Sequence, residues 1–118
     1  MNSPVVWVTQ ENPLLDYTDA ERFGDIRFVT ADELTTSKDS LRNVDIYSRV
    51  LSTLSGFDPS KDFVLSSGAP NLVALVFYVI GMLYPKTDIN FLAWNNRARQ
   101  YRHIVIPAFT STLKGDRQ

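Results

Sequence analysis

Between Phe63 and Leu75 the chain reads FVLSSGAPNLVAL, and here small and polar residues fall where chemistry is possible. A β-like run ends at Ser66 and Ser67, Gly68 follows, and a helix-like run begins just past Pro70. A helix N-terminus offers unpaired N–H groups and a positive dipole end to an anion. Glycine allows a backbone path or a close approach that a side chain would block. Ser66, Ser67, Gly68 and Asn71 are therefore candidate ligand-binding residues, and the ligand would be a nucleotide or another phosphorylated compound. The same residues also read as a tight corner, with Ser67 or Gly68 capping the helix and Pro70 opening it. Neither GxxxxGK[ST] nor GxGxxG is present, so nothing local specifies a nucleoside triphosphate or a dinucleotide.

A second group is WNNRARQYRH, residues 94–103. Arginines interleaved with aromatics suit phosphate contact and base stacking. Arg97 and Arg99 could close over a ligand held at the corner. Binding of single-stranded nucleic acid is the weaker reading, because the chain carries a net charge of −1 and lacks a strong basic footprint. His103, the one histidine, is expected to pack on a strand. Asp16, Asp19, Glu21 and Asp25 crowd one segment, but caps and turns account for them. No GxSxG or HExxH motif occurs and the chain contains no cysteine. We expect no catalytic residues, no metal site and no cofactor.

The elements that must position these residues follow from pattern. VVWVT, residues 5–9, and DIRFVT, residues 25–30, read as strands. Between them TDAERFG reads as one helical turn, capped by Thr18 in a Thr-x-x-Glu box and closed by Gly24. A second such box, TADE, begins at Thr30, and 35–40 reads as a polar loop. From about Asp39 to Ser55, Leu41, Val44, Tyr47, Val50, Leu51 and Leu54 recur at helical spacing. Residues 63–67 read as a strand covered on both faces. A second helix, 71–84, is followed by strands 88–95 and 101–107, which pair as an antiparallel hairpin. The order β–β–α–β–α–β–β predicts an α/β domain: a compact three-layer Rossmann-like arrangement with a mixed sheet of about five strands, two main helices and a C-terminal β-hairpin. A two-layer α+β sandwich is the alternative. The whole of 1–118 reads as one domain, with 108–118 a frayed tail.

Helix 71–84 is apolar all round and carries no charge. It is either central, or exposes Val73, Phe77 and Tyr84 to a partner or a second copy of the chain. Its apolar run is too short to span a membrane. Residues 1–60 carry an excess of acid and residues 61–118 an excess of base. With no signal peptide in view, we expect a cytoplasmic protein.

Three segments together, NPLLDYTDAERFGDIRFVTADE, FVLSSGAPNLVAL and INFLAWNNRARQYRHIVI, resemble small α/β proteins encoded by tailed bacteriophages. The resemblance spans about 5–107 and implies a setting, the infected bacterial cytoplasm, rather than an activity. The expectation is an accessory protein that binds a host or viral protein, with self-association through helix 71–84. A small-ligand module is the alternative.

Overall fold

The computed structural model describes residues 3–30, 34 and 40–108. The second Thr-x-x-Glu box past Thr30, most of the polar loop and the tail beyond Ala108 lie outside them. Five strands form one sheet: β1 (Val5–Gln10), β2 (Asp25–Thr30), β3 (Phe63–Leu65), β4 (Ile89–Asn95) and β5 (Gln100–Ile106). Their order across the sheet is β2-β1-β3-β4-β5. The first four run parallel, and β5 is antiparallel to β4. The α/β class, the mixed five-stranded sheet and the closing hairpin are as the sequence predicts.

Handedness explains the layering. The chain leaves β1 for β2 on one side, returns across β1 to β3 through α1 (Leu41–Leu54), and continues to β4 through α2 (Pro70–Leu83). With right-handed crossovers, α1 and α2 share one face and the β1–β2 connection takes the other. The two core clusters have this composition. Val5, Trp7 and Val64 pack with Ile46, Val50 and Leu54 of α1 and Leu72, Val76, Val79 and Ile80 of α2. Val6, Val8, Leu65 and Leu92 pack with Ala20 on the opposite face. The third layer is thus one 3-10 turn, Thr18–Arg22, with Tyr17 and Phe23 beside it. β1 is buried at every position because both layers cover it.

Local details depart from pattern in three places. Thr18 does not cap the 3-10 turn: Asp16 Oδ1 accepts the Thr18 N–H at 2.9 Å and the Thr18 hydroxyl as well. Asp16 forms an Asx-type turn with Thr18, and the Thr18 hydroxyl is turned back to donate to that carboxylate. Neither Ser67 nor Gly68 caps α2; Ala69 is the N-cap and Pro70 follows in the first turn. On α1, Ser40 Oγ accepts the Arg42 N–H at 3.2 Å, and the buried stripe is Ile46, Val50 and Leu54. Leu41 and Val44, expected in that stripe, are 84% and 57% exposed. The buried stripe steps by four residues, and Ile46, beside Asp45, belongs to it although the expected spacing left it out.

Candidate functional site

The parallel strands β1 and β3 diverge in their connections, and beyond their carboxyl ends lies the region where open α/β sheets hold ligands. The Ser66–Asn71 corner stands there, and it is stitched to β1. Thr9 Oγ1 accepts the Ser67 N–H at 2.8 Å and donates to the Ser67 carbonyl. Ser67 Oγ pairs with the Tyr17 hydroxyl at 2.7 Å. Gln10 Oε1 accepts the Ala69 N–H at 2.7 Å. Gly68 has φ +91°, and a Cβ on it would fall inside the Gln10 side chain. Donors that a phosphate would need at Ser67 and Ala69 are held by β1 instead. The glycine serves both a left-handed backbone and a close approach.

The ligand-binding candidates therefore separate. Ser67 is buried within the stitching, while Gly68 and Asn71 lie at the surface around the start of α2. Ser66 and Arg99 meet in one cleft of about 490 Å³ with Leu15, Asp16, Asp19, Trp94 and Tyr101. Arg97 is exposed on the hairpin loop and does not line that cleft. Arg99 is held at φ +55°, its N–H donating to the Asn95 carbonyl at 2.8 Å. Trp94 is exposed, edge-on to Tyr101 at 5.0 Å, and donates its indole N–H to Asn96 at 2.8 Å. The wall is mixed in charge: hydrogen bonds from the Thr18 hydroxyl and N–H hold the Asp16 carboxyl below the ordinary carboxylate range. Asp19 accepts the Tyr101 N–H at 2.7 Å and pairs with Arg22 at 3.4 Å.

A second cleft, about 530 Å³, opens at the other end of the strands beside Asp25, Arg27, Asp58, Lys61 and Asp62. Three of these residues come from DPSKD, residues 58–62, whose composition reads as a turn and does not mark a cleft. Asp62 is buried, and its carboxyl group accepts Val5 N at 2.9 Å, Trp7 Nε1 at 3.0 Å and Asp58 N at 2.9 Å. These bonds bind the loop after α1 to β1, so Asp62 is accounted for as a structural tie.

The interface candidates on α2 are half-buried. Phe77 packs edge-on to Phe91 at 5.6 Å, and Tyr84 packs on Phe57 and donates its hydroxyl proton to the Leu54 carbonyl at 2.6 Å. Val73 is half-buried too. The outward residues include Asn71, Ala74, Tyr78, Gly81, Met82 and Leu83, none charged. On α1, Val44 and Tyr47 line the same shallow depression, and the Tyr47 hydroxyl lies 3.9 Å from Met82 Sδ, which joins the two helices. The Asp45–Arg49 ion pair, 3.1 Å, stands on the outer side of α1. Periodicity could have found Tyr78 and Met82, four apart, had the buried stripe been placed first.

The protein-family comparison matches residues 4–108 to the family described as Phage Pam3 gp32-like protein. The chain belongs to that family. It is therefore a member of a phage-encoded family, as the three sequence segments suggested. No curated protein matches it. No solved structure matches it either. Within this phage protein, no helix among the described residues is long and apolar enough to cross a membrane. Among the described residues, no three metal-ligating side chains converge. His103 lies edge-on to Phe63 at 5.1 Å, with Nε2 2.9 Å from Asn90 Oδ1.

Proposed function

We propose that this chain is a phage accessory protein that acts by binding a host or viral protein, in the cytoplasm of the infected bacterium. The observation that carries the reading is the outer face of the helix layer, where Val44, Tyr47, Tyr78 and Met82 form an uncharged surface bordered by Asp45 and Arg49. Aromatic residues and methionine at the centre with charge at the rim is the composition of a protein-binding patch. The strand order supports describing the domain as Rossmann-like, with the face across from the helices thinly covered. In that reading the domain is a scaffold and the helix layer is the working surface.

The test is capture from phage-infected host lysate with wild-type protein and with Tyr78→Glu and Met82→Glu. A partner retained by the wild type and lost by both variants, with unchanged melting temperatures, supports the reading. A partner retained equally by all three overturns it.

A second reading has one observation in its favour: Arg99 and Ser66 share a cleft with an exposed indole. A phosphorylated compound would place its charge at Arg99 and a base against Trp94. Asp16 and Asp19 in the same wall repel an anion, which is why protein binding is preferred. A nucleotide that raises the melting temperature of the wild type, and no longer does so for Arg99→Gly, would establish it. No shift with any nucleotide removes it.

A further inference from the structure

β5 is the last strand of the sheet, and among the described residues one of its edges faces no other strand. Which of its backbone groups face outward follows from two hydrogen bonds. The Tyr101 N–H donates to Asp19 Oδ2 at 2.7 Å, and Arg22 Nη2 donates to the Tyr101 carbonyl. Neither partner is on β4, so Tyr101 turns its N–H and C=O away from β4. In an antiparallel pair these directions alternate, so His103 and Val105 also turn outward. No hydrogen bond among the described residues reaches their outward groups. The open edge is bracketed: Asp19 and Arg22 close it at Tyr101, and Pro107, which has no N–H, closes it at the far end. Ile104, Val105 and Ile106 along it are all exposed, and no charge lies between His103 and Pro107.

We infer that this edge pairs with the same edge of a second copy, antiparallel about a two-fold axis at Ile104, joining two five-stranded sheets into one. The register follows from the bracketing. With Ile104 opposite Ile104, His103 of each copy faces Val105 of the other in a hydrogen-bonded pair, and all four outward N–H groups and all four outward carbonyls find partners. Tyr101, whose outward groups are already bonded, meets Pro107, which has no donor to leave unpaired. A two-fold one residue earlier, at His103, sets Val105 against the closed Tyr101. One residue later, at Val105, it sets His103 against Pro107. Side chains fit the same register. Arg102 lies opposite Ile106 of the second copy rather than opposite its own mate, and its stem can cover that isoleucine. It is also diagonal to Ala108 of the second copy, whose N–H Asp88 holds at 2.8 Å, so a cation approaches an acidic side chain at both ends. Main-chain bonding of this kind supplies affinity, and the flanking side chains supply specificity. The inference is independent of the helix-layer surface proposed above.

The experiment is sedimentation velocity on the full chain at about 1 and about 100 µM, a span that brackets a micromolar Kd. The wild type is expected to shift from monomer to dimer. Val105→Pro removes an outward donor at a position where an edge strand tolerates proline. Ile104→Glu sets two like charges across the axis. Both variants should raise the dimer Kd at least about tenfold, with circular dichroism unchanged at the low concentration. The chain has no cysteine, so Ile104→Cys provides a single thiol at a non-hydrogen-bonded pair, where Cα atoms lie about 4.5 Å apart and a disulfide can close. It should cross-link to a dimer under mild oxidation, and Ile106→Cys, which faces Arg102, should not. A monomer at both concentrations overturns the inference. So does a dimer that survives Val105→Pro and Ile104→Glu, or one that forms only when residues 109–118 are removed. Loss of partner capture by Tyr78→Glu leaves each of these readings unmoved, so the two proposals fail separately.

Discussion

Asp62, in the loop before β3, accepts the indole N–H of Trp7, in the middle of β1, at 3.0 Å. The same carboxyl group also takes the N–H groups of Val5 and Asp58, and both Trp7 and Asp62 are buried. One side chain thereby fixes the start of the central strand, its aromatic residue and the approach to the next strand. Removing an acceptor from buried donors costs the desolvation of each donor left unpaired.

Asp62→Ala is therefore expected to cost about 3 kcal/mol or more, since three N–H groups lose their acceptor. Trp7→Phe removes one donor and is expected to cost less at this bond, about 1 kcal/mol, beside whatever its smaller ring loses in packing. Urea denaturation of both variants checks the order. An Asp62→Ala variant as stable as the wild type would refute the role given to this tie.

Gly68→Ala should destabilise the fold, since φ +91° disfavours a side chain and the new Cβ would sit 2.1 Å from Gln10 Oε1. Strain of this kind costs about 1–3 kcal/mol. Gln10→Ala removes the Oε1 and Cδ overlaps but keeps a Cβ 2.5 Å from the new one, so it relieves part of the clash while losing the bond to Ala69. The two substitutions together should thus cost less than their separate costs combined, by about 0.5 kcal/mol or more. Full additivity in a thermal or urea melt would show that Gln10 and Gly68 do not share the corner.

On α2, neighbouring positions should behave oppositely. Tyr78→Glu adds charge to an exposed site and should change stability by no more than about 0.5 kcal/mol. Phe77→Glu places a carboxylate against Phe91 and should cost about 3 kcal/mol or unfold the protein. Melting temperatures of the two variants decide it. Equal stability would mean that the helix is rotated from the orientation described.

Alkaline stability should track two tyrosines. Burial, then the nearby Asp58 and Asp62, pushes the Tyr84 hydroxyl above its ordinary value of 10.0. Burial first, and then Tyr17, Asp19 and Asp16, do the same for Tyr101. The folded state thus keeps protons that the unfolded chain releases. The associated stability is present in full below pH 10.0 and is lost as pH rises through the folded values. Absorbance titration should show Tyr84 and Tyr101 ionising above pH 10.0. Tyr84→Phe should reduce the fall in stability above pH 10.0. An unchanged alkaline profile in that variant would count against the assignment.

The elements were legible because each announces itself locally. VVWVT and DIRFVT are β-branched and apolar, α2 is bounded by Pro70 and Pro85, and the polar NRARQ, residues 96–100, between two apolar runs marks the hairpin. The candidate site was legible only in part. Ser66 and Arg99 do share a cleft, but Ser67 and Ala69 direct their N–H groups to Thr9 and Gln10, residues nearly sixty positions away. Nothing in SSGAP foretells those partners. Likewise, an apolar helix reads alike on every side, and its hydropathy does not say that Phe77 turns inward and Tyr78 outward.

From its sequence alone this protein is determined to be an α/β chain with two helices, a closing hairpin and the segments of a phage family, because propensity, turn residues and hydrophobic period act over a few residues. Tertiary structure alone decided the order β2-β1-β3-β4-β5, the placing of both helices on one face, the filling of the corner by β1 and the place of β5 at the end of the sheet. Those outcomes depend on which distant segments cover one another, and the handedness of the crossovers and the burial of apolar surface settle that only once the whole chain is assembled.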